Sequence, residues 1–212
     1  MILFDYCRSS AAYRVRIALN LKALQYEQVP VSLLAGEQSS QAHLARNPQG
    51  LVPALQDGDL MLTQSLAICE YLDEAYPESV QLLPAGASGK ARVRALSQLV
   101  ACDVHPVNNL RILKYLVAEF DVTDEQKTSW YQHWIYQGFD ALEAMLANSG
   151  ETGKFCHGDL PTLADTCLVP QVFNANRFKC DLSCYPNIVR INDNCLALPA
   201  FAQAHPDNQP GA

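Results

Sequence analysis

A change of hydrophobic period on either side of residues 77–89 constrains this chain more than any other feature of its sequence. Before it, short apolar runs alternate with two helical stretches. Ile2-Leu-Phe-Asp-Tyr6 suits a buried strand, and Tyr26-Glu-Gln-Val-Pro-Val31 alternates like a second. Between them, from about Ser10 to Leu21, Val15, Ala18 and Leu19 fall on one helical face, with Arg14 and Arg16 off it. Val52-Pro-Ala-Leu-Gln56 and Leu60-Met-Leu62 flank Asp57-Gly58, a strong hairpin signal, and Pro53 opens its strand, one of the few places a sheet accepts proline. Ser65 is then expected to cap a helix lined by Ile68, Tyr71, Leu72 and Ala75 that ends before Pro77. The order βαβ, connector, ββα predicts a mixed four-stranded sheet flanked by helices.

Residues 77–89 (PESVQLLPAGASG) are rich in Pro, Gly and Ser and read as a linker. Beyond it the pattern is helical. Lys90 to Val104 reads as one helix, and Trp130 to Leu146 as another with Ile135, Phe139, Leu142 and Leu146 on its inner stripe. Pro161-Thr-Leu-Ala-Asp165 opens a third, since Thr162 and Asp165 have capping-box spacing. The expected organisation is an α/β domain over residues 1–80 and an all-α domain over 88–212, with no internal repeat.

At 212 residues the chain can bury a core without a metal or disulfide staple. Its net charge of −7 argues against a nucleic-acid partner or an anionic membrane surface, so an anionic ligand would have to be met by a local cluster of arginines. No segment approaches ~18 uninterrupted apolar residues, so no membrane span is expected. The eight cysteines show no C-x-x-C pair and no zinc-ligand spacing; no metal is expected, and a reducing, cytoplasmic setting with mostly buried thiols is.

The stretch Cys7-Arg-Ser-Ser-Ala-Ala12 carries the densest chemistry. If a helix starts near Ser10, both Ser9 and Ser10 lie where unpaired N–H groups and the macrodipole favour negative charge. A hydroxyl there is either a plain N-cap or a donor to the thiolate of a bound thiol. Bringing a thiol of pKa ~8.5 to mostly ionised at neutral pH takes about 2 units, or ~2.7 kcal/mol. One hydrogen bond to a charged group supplies ~1.5–3 kcal/mol and a helix terminus ~0.3–1, so no catalytic base is required.

Arg8-Ser-Ser10 followed by Arg14-Val-Arg-Ile-Ala-Leu19, Asn47-Pro48 with Val52-Pro53, and Gln64-Ser65 resemble the zeta class of glutathione transferases, the family of maleylacetoacetate and maleylpyruvate isomerases. His105-Pro-Val-Asn-Asn109, Gly138-Phe-Asp-Ala-Leu-Glu143, Ala164-Asp-Thr-Cys-Leu-Val-Pro-Gln171, Arg177-Phe178, Asp181-Leu182 and Tyr185-Pro186 extend the resemblance to almost the whole chain. It implies a thioredoxin-like domain that binds glutathione, a helical-bundle domain that contributes to the second-substrate site, and a homodimer. It implies a cis peptide before Pro53 that leaves the Val52 backbone for the glutathione cysteinyl group. Gln64 and Ser65 would hold the γ-glutamyl end, with Gln38, His105 and Asn109 as further contacts. Arg8, Arg111 and Arg177 would receive the carboxylates of a dicarboxylic keto acid, a task suited to planar bidentate donors. Arg14 and Arg16, on the outer face of their helix, would be structural.

The family often carries cysteine after the serine pair, where this chain has Ala11. The thiolate argument needs only a hydroxyl and a helix end, with Ser9 the first choice and Ser10 the second. Cys7-Arg-Ser-Ser10 is formally C-x-x-S, a monothiol redox pattern, but thiol-using relatives place their cysteine at the position of Ser9. The expected activity is a glutathione-dependent cis–trans isomerisation of a maleyl keto acid. The alternatives are a broad-specificity transferase acting on α-halo acids, a redox protein using Cys7, and a non-catalytic module.

Overall fold

A computed structural model describes residues 1–211, which form two compact units. The first comprises Met1–Leu83 together with the segment from Ala197 onward; the second is Pro84–Leu196. The sequence boundary therefore misplaces the C-terminal segment, which belongs with the α/β unit and not with the helical one.

In the first unit, β1 (Ile2–Asp5), α1 (Ser10–Leu21), β2 (Glu27–Pro30), α2 (Gln41–Arg46), β3 (Ala54–Asp57), β4 (Leu60–Thr63) and α3 (Ser65–Ala75) follow in order. The sheet order is β2-β1-β3-β4, with β1 parallel to β2 and both other pairs antiparallel. The hairpin turns on Gly58 and Asp59 between paired Asp57 and Leu60, and Gly58 takes the φ of +57° that the tight turn requires. Asp57 then accepts hydrogen bonds from the hydroxyls of Tyr71 (2.9 Å) and Tyr76 (2.6 Å), tying the hairpin to α3.

Helix α1 departs from the amphipathic expectation. Every residue from Ser10 to Leu19 except Ala11 is buried, Arg14 and Arg16 included. A helical wheel assumes one wet face, but α1 packs on both α3 and the short helix α9 (Pro199–Ala204). Arg16 is fully engaged: Nε donates to the Ala204 carbonyl, Nη1 to Asp5, and Nη2 to the Cys7 carbonyl. Asn20 donates to the Ala200 carbonyl and the Cys7 thiol to that of Gly211, so the C-terminal segment closes over α1.

The second unit holds α4 (Ala87–Gln98), α5 (Leu110–Phe120), α6 (Asp124–Ala147), α7 (Leu163–Arg177) and α8 (Pro186–Leu196). The single helix expected over Lys90–Val104 is instead α4 running into a π-helical turn, Leu99–Val104, closed by His105 N–H on the Val100 carbonyl. Gly138 of α6 meets this turn so closely that an added Cβ would lie 2.2 Å from Val104 Cγ2. Helix α6 starts six residues before the expected Trp130, on a Thr123/Gln126 capping box, and its stripe Ile135, Phe139, Leu142 and Leu146 is buried as read. The Thr162/Asp165 capping box opens α7, where Asp165 also accepts the Cys156 N–H.

Candidate active site

In the first unit, Ser9 is the N-cap of α1: its Oγ accepts the Ala12 N–H at 3.2 Å. A hydroxyl has two lone pairs and one proton, and capping uses only a lone pair, so the plain cap and the donor are compatible roles. Ser9 is half-buried, whereas Ser10, the first helical residue, is buried. Exposed Arg8 precedes them. Cys7 lies between the end of β1 and the cap, and its buried thiol donates to Gly211; the structure does not put it at the helix start, where a redox thiolate would be stabilised.

A second group of expected residues converges on the loop before β3. The Val52–Pro53 peptide is cis. The loop is set by Asn47, which donates to the Leu51 carbonyl and accepts from Gln49 N–H. Gln49 in turn accepts from Gln64 Nε2 at 2.7 Å, so the expected γ-glutamyl contact Gln64 is held by the loop that carries Val52. Gln38 reaches the same loop from a 3-10 turn: its carbonyl would lie 3.2 Å from a Cβ added at Gly50.

Ser65 is not the N-cap of α3. That position belongs to Gln64, at φ +69° and with no side-chain cap bond, and Ser65 is the first helical residue. The first N–H groups of any α-helix have no intrahelical acceptor, so a helix lacking a side-chain cap offers them to an anion. Ser65 Oγ accepts from Arg14 Nη1 at 2.9 Å, and both residues are buried.

In the second unit, the segment that follows the π-helical turn carries His105 and Asn109. Asn109 caps α5 by accepting the Arg111 N–H, and its Nδ2 lies 3.5 Å from His105 Nε2. Two bonds anchor this segment on α6: Asn108 donates to the Tyr131 carbonyl and Trp130 Nε1 to that of Val107. Tyr131 stacks on Phe178 at 3.5 Å and 4°, and Arg177 lies 5.9 Å from the Phe178 ring. Burial pushes the Tyr131 phenol up, with the Arg177 charge opposing. Arg111 and Arg177, 66 positions apart in sequence, thus sit on elements joined through Tyr131, and both are exposed.

Residues 1–74 match the family described as glutathione S-transferase, N-terminal domain. The chain is 52% identical over its whole length to a probable maleylacetoacetate isomerase of Vibrio cholerae, 98% of which is covered. The chain belongs to the zeta class of glutathione transferases, the maleylacetoacetate/maleylpyruvate isomerase family. Two solved structures of that class superpose on it at a TM-score of 0.97. One is a bacterial maleylpyruvate isomerase in its holo form, 48% identical with both chains fully covered. The other is the maleylacetoacetate isomerase of Methylobacterium extorquens AM1 with bound malonate and glutathione, 44% identical, covering 100% of this chain and 99% of that one.

Two residues of this zeta-class chain were missed by sequence reasoning. Gln49, which holds Gln64, had no signal beyond its place in a Pro-Gln-Gly turn. Arg14 was assigned to the outer face because its contact, Ser65, is 51 positions away and invisible to periodicity. Among the described residues no group of three or more His, Cys, Asp or Glu could hold a metal ion, and no helix is long and apolar enough to cross a membrane.

Proposed function

We propose that this protein isomerises a maleyl keto acid, maleylacetoacetate or maleylpyruvate, to its fumaryl isomer with glutathione as cofactor. The Ser9 hydroxyl carries the reading: it caps α1 through a lone pair, is half-buried, and keeps its proton for a thiolate at the helix N-terminus. The residues present fit glutathione. The uncapped start of α3 with Ser65 suits its α-carboxylate, and the loop bearing Val52, held through Gln49 to Gln64, suits its extended backbone.

Bound glutathione supplies a thiolate that adds to the cis double bond and leaves again once the resulting single bond has rotated. Ser9 donates to that sulfur, and Ser10, the next residue, is buried. Gln64, Ser65, Val52 and Gln38 hold the tripeptide, and His105 and Asn109 add contacts from the segment before α5. Arg8, Arg111 and Arg177 take the substrate carboxylates and stabilise the negative charge that develops on the keto oxygen. The malonate and glutathione in the Methylobacterium relative, and the dicarboxyethyl glutathione and citrate in that of Anaeromyxobacter dehalogenans 2CP-1, support a dicarboxylate beside glutathione.

The same reading includes a homodimer, a cytoplasmic location and a role in aromatic-compound catabolism. The cysteines support a reducing compartment: none of the eight is in a disulfide, and six are buried. The experiment that tests the reading follows the absorbance of both maleyl acids with and without glutathione. Turnover that needs glutathione without consuming it supports isomerisation; stoichiometric consumption with halide release from an α-halo acid, and none of the maleyl acids turned over, overturns it.

A further inference from the structure

Helix α1 buries two arginines two residues apart, and the structure treats them differently. Arg16, 0% exposed, has Asp5 as counter-ion and a partner for each of its three nitrogens. Arg14, 2% exposed, makes one hydrogen bond, from Nη1 to Ser65 Oγ; its Nε and Nη2 are buried without a partner, and no carboxylate pairs with it among the described residues. A buried guanidinium in that condition is costly, and unsatisfied buried donors in a native protein call for an explanation, of which a bound ion is one. Its one contact leads to the first residue of an eleven-residue helix that has no side-chain cap. Two independent features, the open helix start and the uncompensated charge behind it, therefore favour an anion at the same place.

We infer that Arg14 is the positioning residue of the γ-glutamyl subsite. By donating to Ser65 Oγ it occupies a lone pair, so the serine proton turns outward to the ligand, and its charge is balanced by the α-carboxylate of the γ-glutamyl group. Arg14 acts through Ser65 and the field, not on the sulfur. The inference rests on the assignment of Ser65 to glutathione proposed above.

Calorimetric titration with glutathione and with cysteinylglycine, which keeps the thiol and the glycine but lacks the γ-glutamyl group, separates the possibilities. Wild type is expected to prefer glutathione, and Ser65→Ala to lose most of that preference. Arg14→Met is expected to weaken glutathione binding by roughly 10- to 100-fold, the range of a hydrogen bond to a charged group, and to leave cysteinylglycine within about twofold. In the Ser65→Ala background the same change should add little, and kcat at saturating glutathione should stay within about threefold of wild type, since the lost interaction is made equally before and during reaction. Arg14→Lys, which keeps the charge but not the fork, should fall between, and it decides the matter if Arg14→Met does not fold. Equal losses for both ligands, an unchanged preference, or full additivity with Ser65→Ala overturns the role of Arg14 alone. A wild type without a Ser65-dependent preference overturns the subsite assignment, and the inference with it.

Discussion

Arg16 Nη1 donates to both carboxylate oxygens of Asp5, at 2.9 and 2.8 Å, in an ion pair with 0% and 1% side-chain exposure. Gln28 also donates to this carboxylate, and Arg16 Nη2 holds the Cys7 carbonyl at 3.0 Å, two residues before Ser9. Replacing Arg16 by Met leaves Asp5 buried and uncompensated, a defect worth about 3–5 kcal/mol. Urea denaturation measures it, and adding Asp5→Asn should recover part of the loss. A change below about 1 kcal/mol would mean that the pair behaves like an exposed one.

Ser9→Ala removes both a cap and the proposed thiolate donor. The cap accounts for about 1 kcal/mol of stability. The donor accounts for a rise of about 1–2 units in the apparent pKa of bound glutathione, read from the pH dependence of thiolate absorbance in the binary complex. Ser10→Ala should leave that pKa nearly unchanged; the reverse ranking would transfer the role to Ser10.

Arg111 and Arg177 are exposed, so their removal should hardly affect folding. Each Arg→Ala variant should raise KM for the maleyl dicarboxylate by roughly 10- to 100-fold, as expected for loss of a charge-assisted bidentate contact. Glutathione binding should change far less. Equal effects on the two ligands would remove both arginines from the substrate site.

Tyr76 is held up to a pKa of about 12, first by its hydrogen bond to Asp57 and then by desolvation, and Tyr71 is raised by the same carboxylate. In the unfolded chain a tyrosine loses its proton near pH 10. The folded state therefore binds more protons between about pH 10 and 12, and stability falls as pH rises through that window. The contribution is complete below pH 10. Tyr76→Phe should flatten the stability–pH curve there, and ultraviolet titration should show one fewer late-ionising phenol among the nine tyrosines.

Much of the first unit was legible because a period of two, an Asp-Gly turn and a proline at a strand start each have few structural solutions. The error at Arg14 and Arg16 has a definite cause: a charged residue off the apolar stripe is read as wet, and nothing local reveals that α3 and α9 cover that side. The early start of α6 was written in Thr123 and Gln126, but its polar first turns carry no apolar periodicity to draw attention to them. The π-helical turn at Leu99–Val104 could not be read, since one residue of slack hardly changes the pattern. Within the candidate site, Ser9, Gln64 and Ser65 could be proposed from their own motifs, whereas the contacts of Gln49 with Gln64 and of Arg14 with Ser65 join residues 15 and 51 positions apart and leave no local signal.

The C-terminal segment has a consequence for biosynthesis. Arg16 and Asn20 find their acceptors at Ala204 and Ala200, 188 and 180 positions downstream. A nascent chain that has only its sheet and first three helices outside the ribosome holds Arg16 Nε and Asn20 Nδ2 without their protein acceptors, and its first-made unit finishes folding only after the helical unit has been translated.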